Sequence, residues 1–117
     1  MIRHASDNGS VIVSTNVYTD IAGTAATNCF GVKGMVARSM KDGLFHLLRK
    51  ESARKGVRVL FHDDRSISID LHIMVDSGVN LQAVSRSIIS EVRYVVNKHT
   101  RTRVRAVNVH IDAITAD

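Results

Sequence analysis

Hydrophobic residues alternate with polar ones most regularly in two stretches, Val57 to His62 and Ser66 to Val75, a period of two that predicts half-buried strands. Val57, Val59 and Phe61 share one face of the first strand; Ile67, Ile69, Leu71, Ile73 and Val75 share one face of the second. Matching these faces pairs Phe61 with Ile67 and leaves Asp63, Asp64 and Arg65 as a three-residue hairpin loop. The same register sets Arg58 opposite Asp70 on the other face. That charge match supports the register, although an exposed pair is worth under about 1 kcal/mol.

Elsewhere the period lengthens to that of a helix. Asn80 is a good cap for the longest one, running to about His99 with Leu81, Val84, Ile88, Val92 and Val95 as its buried stripe. Thr15 or Asn16 caps an earlier helix to about Cys29, with Val17, Ile21, Ala25 and Cys29 on its apolar side. Ala22 and Ala26 beside that stripe let another element approach closely, and Gly31 suits the helix stop. Lys41 to Lys50 reads as a second short helix carrying Leu44, Leu47 and Leu48, whereas Met35 to Met40 fits either period. Short strands are expected at Ser10 to Ser14 and at Ala106 to Asp112, where Val107, Val109 and Ile111 point inward.

The resulting order is β-α-(α)-β-β-α-β. It predicts an α+β fold of two layers, a mostly antiparallel sheet covered on one face by helices. Ser10 to Ser14 or Ala106 to Asp112 should lie at a sheet edge, and edges without Pro invite pairing with another chain. The chain has no Pro at all and no rigid linker, so residues 9–117 are expected to form one domain after a flexible segment over residues 1–8. With 44% hydrophobic and 23% charged residues the composition is that of a globular protein rather than a disordered one. The aromatic share of 4%, with no Trp, leaves Val, Ile, Leu and Ala to build the core.

One cysteine, Cys29, permits no internal disulfide, which suits a reducing cytoplasm. Residues 1–8 lack the apolar core of a signal peptide, and no apolar run approaches the roughly 20 residues that span a bilayer. Direct membrane insertion is therefore not expected; any membrane contact is peripheral.

Lys and Arg outnumber Asp and Glu by 16 to 11. The excess gathers in two places: Arg49, Lys50, Arg54, Lys55 and Arg58, then Lys98, Arg101, Arg103 and Arg105. Together with Lys33 these form a candidate binding surface for phosphate or lipid headgroups. Both clusters follow predicted helix ends, where cations also favour the helix dipole, so solvated helix ends account for much of them. No aromatic side chains interleave with them to stack bases. Gly31-Val32-Lys33-Gly34 resembles the loop with which KH domains clamp a nucleic-acid backbone, although a helix stop followed by a tight turn produces the same spacing.

Six histidines raise the question of metal. His62, His72 and His110 fall on the polar sides of predicted strands, and neighbouring strands could bring two of them together. No His-x-x-x-His or Cys-x-x-Cys spacing occurs, so neither a structural metal nor a cofactor is expected. Catalytic residues are not identified either. Asp63-Asp64 is a solvated turn pair, and no nucleophile elbow, phosphate loop or dinucleotide fingerprint is present.

Taken in order, several segments resemble the alkaline shock protein, or envelope stress response, family of Gram-positive bacteria. They begin at Gly9-Ser10-Val11 and Ile21-Ala22-Gly23-Thr24-Ala25-Ala26. Next come Gly31-Val32-Lys33-Gly34-Met35, Lys55-Gly56-Val57-Arg58-Val59 and Ile69-Asp70-Leu71-His72-Ile73-Met74-Val75. Gly78-Val79 and Val107-Asn108-Val109-His110-Ile111 complete the series. The resemblance implies a non-enzymatic cytoplasmic stress-response protein that self-associates, and that can reach the membrane through a membrane-anchored protein partner. It makes the Gly31 to Gly34 run family architecture. The chain departs from its relatives in its basic charge and in Arg38 and Lys41, where a glycine-rich segment is common. A self-associating scaffold is thus the first functional expectation. A nucleic-acid-binding module, using the basic clusters and the Gly31 to Gly34 loop, is the alternative.

Overall fold

The computed structural model describes residues 1–38, 45–48 and 56–116. Seven strands and two helices follow in the order β1 (Ile2–Ser6), β2 (Gly9–Val13), α1 (Thr15–Thr27), β3 (Val32–Arg38), β4 (Phe45–Leu48), β5 (Val57–Phe61), β6 (Ile67–Val75), α2 (Leu81–Thr100) and β7 (Val104–Ile114). The α+β class and the single helical layer are as the sequence predicts.

Strand β6 organises the sheet. Its odd residues, Ile67 to Val75, are buried without exception, whereas Ser68, Asp70, His72 and Met74 on the other face are half-buried. Strand β5 pairs antiparallel with its first half in the expected register, Phe61 on Ile67 and Arg58 on Asp70. Strand β3 pairs antiparallel with its last residues and carries β4 on its far side. On the opposite edge β7 runs parallel to β6 over its whole length. A parallel neighbour cannot be reached by a hairpin, so α2 serves as the crossover.

Both helices cover the odd-numbered face of β6, and the core combines Ile67, Ile69, Leu71, Ile73 and Val75 with Ile88, Val92 and Val96 of α2 and Tyr18, Ala22 and Ala26 of α1. The α1 stripe is rotated by about one residue from expectation. Val17 is 42% exposed and Ile21 and Cys29 are partly buried, while Tyr18 is fully enclosed. The reason is the polar tip of Tyr18, whose hydroxyl shares a 2.8 Å hydrogen bond with Thr102. A ring whose oxygen finds a partner can be buried. On α2 the stripe continues to Val96 rather than Val95, and Asn80 caps the helix by accepting from the Ala83 N–H at 2.9 Å.

Two expectations are corrected and one ambiguity is resolved. Phe45 to Leu48, assigned to a short helix, is a strand paired with β3; residues 41–44 and 49–50 of that assignment lie outside the described residues. A four-residue apolar run carries too little periodicity to distinguish the two. The ambiguous Met35 segment is strand as far as Arg38. Residues 1–8, expected as a flexible segment, contain β1, which pairs with β2 in a two-stranded hairpin apart from the main sheet, and Ile2 reaches the core.

Candidate interaction surface

Bulges and unpaired backbone define the first surface. Strand β7 is eleven residues long, and among the described residues nothing pairs with its outer edge. Pairing with β6 skips a residue at Arg105 and again at Asp112, so the strand is kinked near each end. Between the kinks its backbone N–H and C=O groups form a row open to another strand. Ala106 to Asp112 is one of the two strands expected at an edge, and the observed strand extends beyond it at both ends.

Two apolar features stand apart from the edge. On β2, Val11 and Ile12 are 64% and 55% exposed, on opposite faces of a hairpin with little else beside it. At the stop of α1, Phe30 is 87% exposed beside a groove of about 600 Å³ lined by Val79, Ala83 and Val84. A second groove of about 430 Å³ separates the outer sides of α1 and α2, lined by Ile21, Ala25 and Val95 with Asp20, Glu91 and His99. Close by, burial and then the charge of Glu91 push the Cys29 thiol up. Its Sγ donates to the Ala25 carbonyl at 3.3 Å, a bond that needs the thiol proton.

Among the described residues the basic candidates fall into two separate groups. Lys33 pairs with Asp76 at 3.3 Å, beyond the end of β6. Arg103 and Arg105 both reach Asp64, which lies before its start; Arg105 does so at 3.2 Å. A nine-residue strand at roughly 3.3 Å per residue separates these two groups by about 30 Å, well beyond a Debye length. Asp64 also accepts from the Ser66 hydroxyl at 2.6 Å and its backbone N–H at 3.1 Å. These bonds, with Arg105, hold its carboxyl well below the usual carboxylate range. Arg101 occupies the left-handed cap position of α2 at φ 57°, and its N–H bonds the Asn97 carbonyl. Arg49, Lys50, Arg54 and Lys55 lie outside the described residues. The Gly31 to Gly34 run is turned inward: Gly31 at φ +88° packs on Val79 and Val84, and Gly34 is a buried residue of β3.

The even-numbered face of β6 collects titratable side chains. His72 and His110 occupy paired positions on β6 and β7, and their rings stack at 4.4 Å with a 12° interplanar angle. His72 Nδ1 donates to the Asp112 carboxylate at 2.8 Å. Asn108 donates to Asp70 at 2.8 Å, and His110 Nε2 stands 3.7 Å from the same oxygen. His62 shares a 2.7 Å hydrogen bond with Ser68. Polar-side parity along each strand marked these histidines; the stacking depends on the parallel register, which parity does not reveal. No helix among the described residues is long and apolar enough to cross a membrane.

Comparison with known proteins agrees with this architecture. The MamM CTD in its copper form superimposes with a TM-score of 0.51 at 19% identity, covering 87% of this chain and 88% of that one. At that identity the likeness concerns the fold. The uncharacterized protein YloU of Bacillus subtilis (strain 168) is 34% identical over 107 residues, 91% of this chain and 88% of the relative. The uncharacterized protein Spy1614 of Streptococcus pyogenes serotype M6 is 34% identical over 114 residues, 97% of this chain and 93% of the relative. The profile of the alkaline shock protein 23 family, described by a cell envelope-related function, matches residues 3–116. The chain belongs to that family.

Proposed function

We propose that the protein is a self-associating scaffold that works at the cell envelope from the cytoplasmic side, by binding rather than by catalysis. The observation that carries this reading is the outer edge of the eleven-residue strand β7, which pairs with no other strand among the described residues while its inner edge is taken up by β6. Proteins normally blunt such an edge with Pro, short length, charged side chains, bulges or cover. Here Pro is absent, the strand is the longest among the described residues, and its two bulges leave Ala106 to Ile111 regular between them. Addition of a strand from a second copy satisfies the edge and extends the sheet. The inward packing of Gly31 and Gly34, and the separation of Lys33 from Arg103 and Arg105, favour a scaffold over a nucleic-acid clamp.

Envelope attachment in this reading comes from a membrane-anchored protein partner. The stripe of α2 already covers the sheet and cannot also enter lipid, and the exposed cations supply only salt-reversible attraction to an anionic surface. Light scattering of the purified chain should give a multiple of 12.9 kDa. A particle of 12.9 kDa alone across a wide concentration range would overturn self-association. Salt-resistant binding of the pure protein to anionic vesicles would overturn the need for a partner.

A further inference from the structure

We propose that His72 and His110 form a two-imidazole site for a borderline divalent cation of the zinc, copper or nickel class. The placement follows from the sheet. Neighbouring strands lie roughly 4.8 Å apart, so two histidines in register on one face must bring their rings together. Both are reachable from solvent, with side chains 29% and 46% exposed.

What distinguishes the pair from two ordinary surface histidines is the carboxylate behind one of them. The β7 bulge inserts Asp112 as an extra residue between the Ile73–Ile111 and Met74–Ala113 pairs. It turns toward the polar face, and its carboxylate accepts from His72 Nδ1 at 2.8 Å. An ionised carboxylate can only accept, so Nδ1 carries a proton, and it is the neutral form of this tautomer, with its lone pair on Nε2, that would bind a metal. A carboxylate on the far nitrogen is the arrangement that orients a metal-binding imidazole and raises its basicity. Asp70, 3.7 Å from His110 Nε2, adds a second negative charge, offset in part by Arg58 opposite it on β5.

The donor set selects the ion. Imidazole nitrogens suit zinc, copper and nickel, while magnesium and calcium prefer oxygen. In the stacked arrangement the two rings are nearly parallel, and a shared ion needs nitrogens at about 2.0–2.1 Å from it. Rotation about χ2 of His110, a broad torsion, tilts its ring toward the His72 ring that Asp112 holds in place. Among the described residues no three His, Cys, Asp or Glu side chains converge into a ready cage. The ion therefore takes two protein ligands and completes its shell with water, which makes the site reversible rather than structural.

The test is titration of the tag-free full chain with zinc, nickel and copper chlorides by calorimetry, alongside ¹⁵N-detected imidazole shifts. Saturable binding of one ion per chain is expected, with the shifts concentrated on His72 and His110 and no response to magnesium. His72→Ala and His110→Gln should each weaken binding at least about tenfold, and Asp112→Asn about tenfold through loss of orientation. Circular dichroism establishes that each variant is folded, and the wild-type shifts decide the matter if one is not. Unchanged affinity in a folded double variant overturns the proposal, as do shifts confined to other histidines or no saturable binding at millimolar metal.

Discussion

Strand β6 and the β1–β2 hairpin are built from similar residues and differ in what surrounds them. On β6 every second side chain is enclosed, with strands on both edges and two helices on one face. The hairpin has five residues per strand, one core residue in Ile2, and Val11 and Ile12 largely in solvent. A two-stranded hairpin alone is marginal in water. The difference teaches that β-propensity counts only where a neighbouring layer completes the burial, and that the hairpin draws its order from its junction with the core.

The contrast can be broken most forcefully at Leu71, which is fully buried at the centre of β6. Leu71→Ala should cost about 2–5 kcal/mol in urea unfolding, from lost transfer energy and the cavity left behind. A loss below 1 kcal/mol would mean the core repacks freely. Next in size is Gly31→Ala. A Cβ there would sit 3.1 Å from Val84 Cγ2 in a backbone at φ +88°, and about 1–3 kcal/mol should be lost. Tyr18→Phe removes one buried hydrogen bond to Thr102 and should cost about 1 kcal/mol by the same assay.

Acid sharpens the comparison at the hairpin loop before β6. The folded-state pKa of Asp64 is depressed, so its contribution is present above its unfolded value of about 3.9 and is lost as pH falls through the folded value. Asp64→Asn should therefore be less stable than wild type at neutral pH, with the gap closing as the pH is lowered below about 4. A gap that widens in acid would show that the carboxylate is not favoured by its partners. Smallest of all is Val11→Ser, expected within about 0.5 kcal/mol because this side chain is mostly in water. A larger loss in concentrated samples than in dilute ones would mark the hairpin as a contact between copies.

Legibility in the sequence followed the same divide. The β5–β6 hairpin could be read down to its register because alternation, a three-residue loop and the Arg58–Asp70 match agreed. Helix α2 was readable from its cap and from Val84, Ile88 and Val92, whereas Leu81, expected on the buried stripe, is 40% exposed and Val95 gives way to Val96. Strand β1 was not readable, because its inward face carries one apolar residue, Ile2, followed by the half-buried polar His4. The α1 face was misplaced by one position because hydropathy gives weight to Val17 and Ile21 and little to Tyr18 and the alanines that lie inside. Of the candidate surface, the β7 edge was foreseen from strand order, and the His72–His110 pair was half foreseen from parity. That Lys33 lies far from Arg103 and Arg105 could not be read, since linear spacing carries no information about opposite ends of a strand.

The parallel union of β6 and β7 also bears on how quickly the fold is reached. Every other pairing in the sheet closes a shorter loop than this one, except that of β3 with β6, and it must wait for the whole of α2 to be in place. Non-local pairings are slow because the loop-closure entropy is paid before the contacts repay it. The β5–β6 hairpin is therefore expected to form early, and during synthesis β6 stays open along one side until residue 114 has emerged. In that interval the open side of β6 is an edge that a strand of another nascent chain can pair with in place of β7, so crowded translation exposes this fold to misassembly.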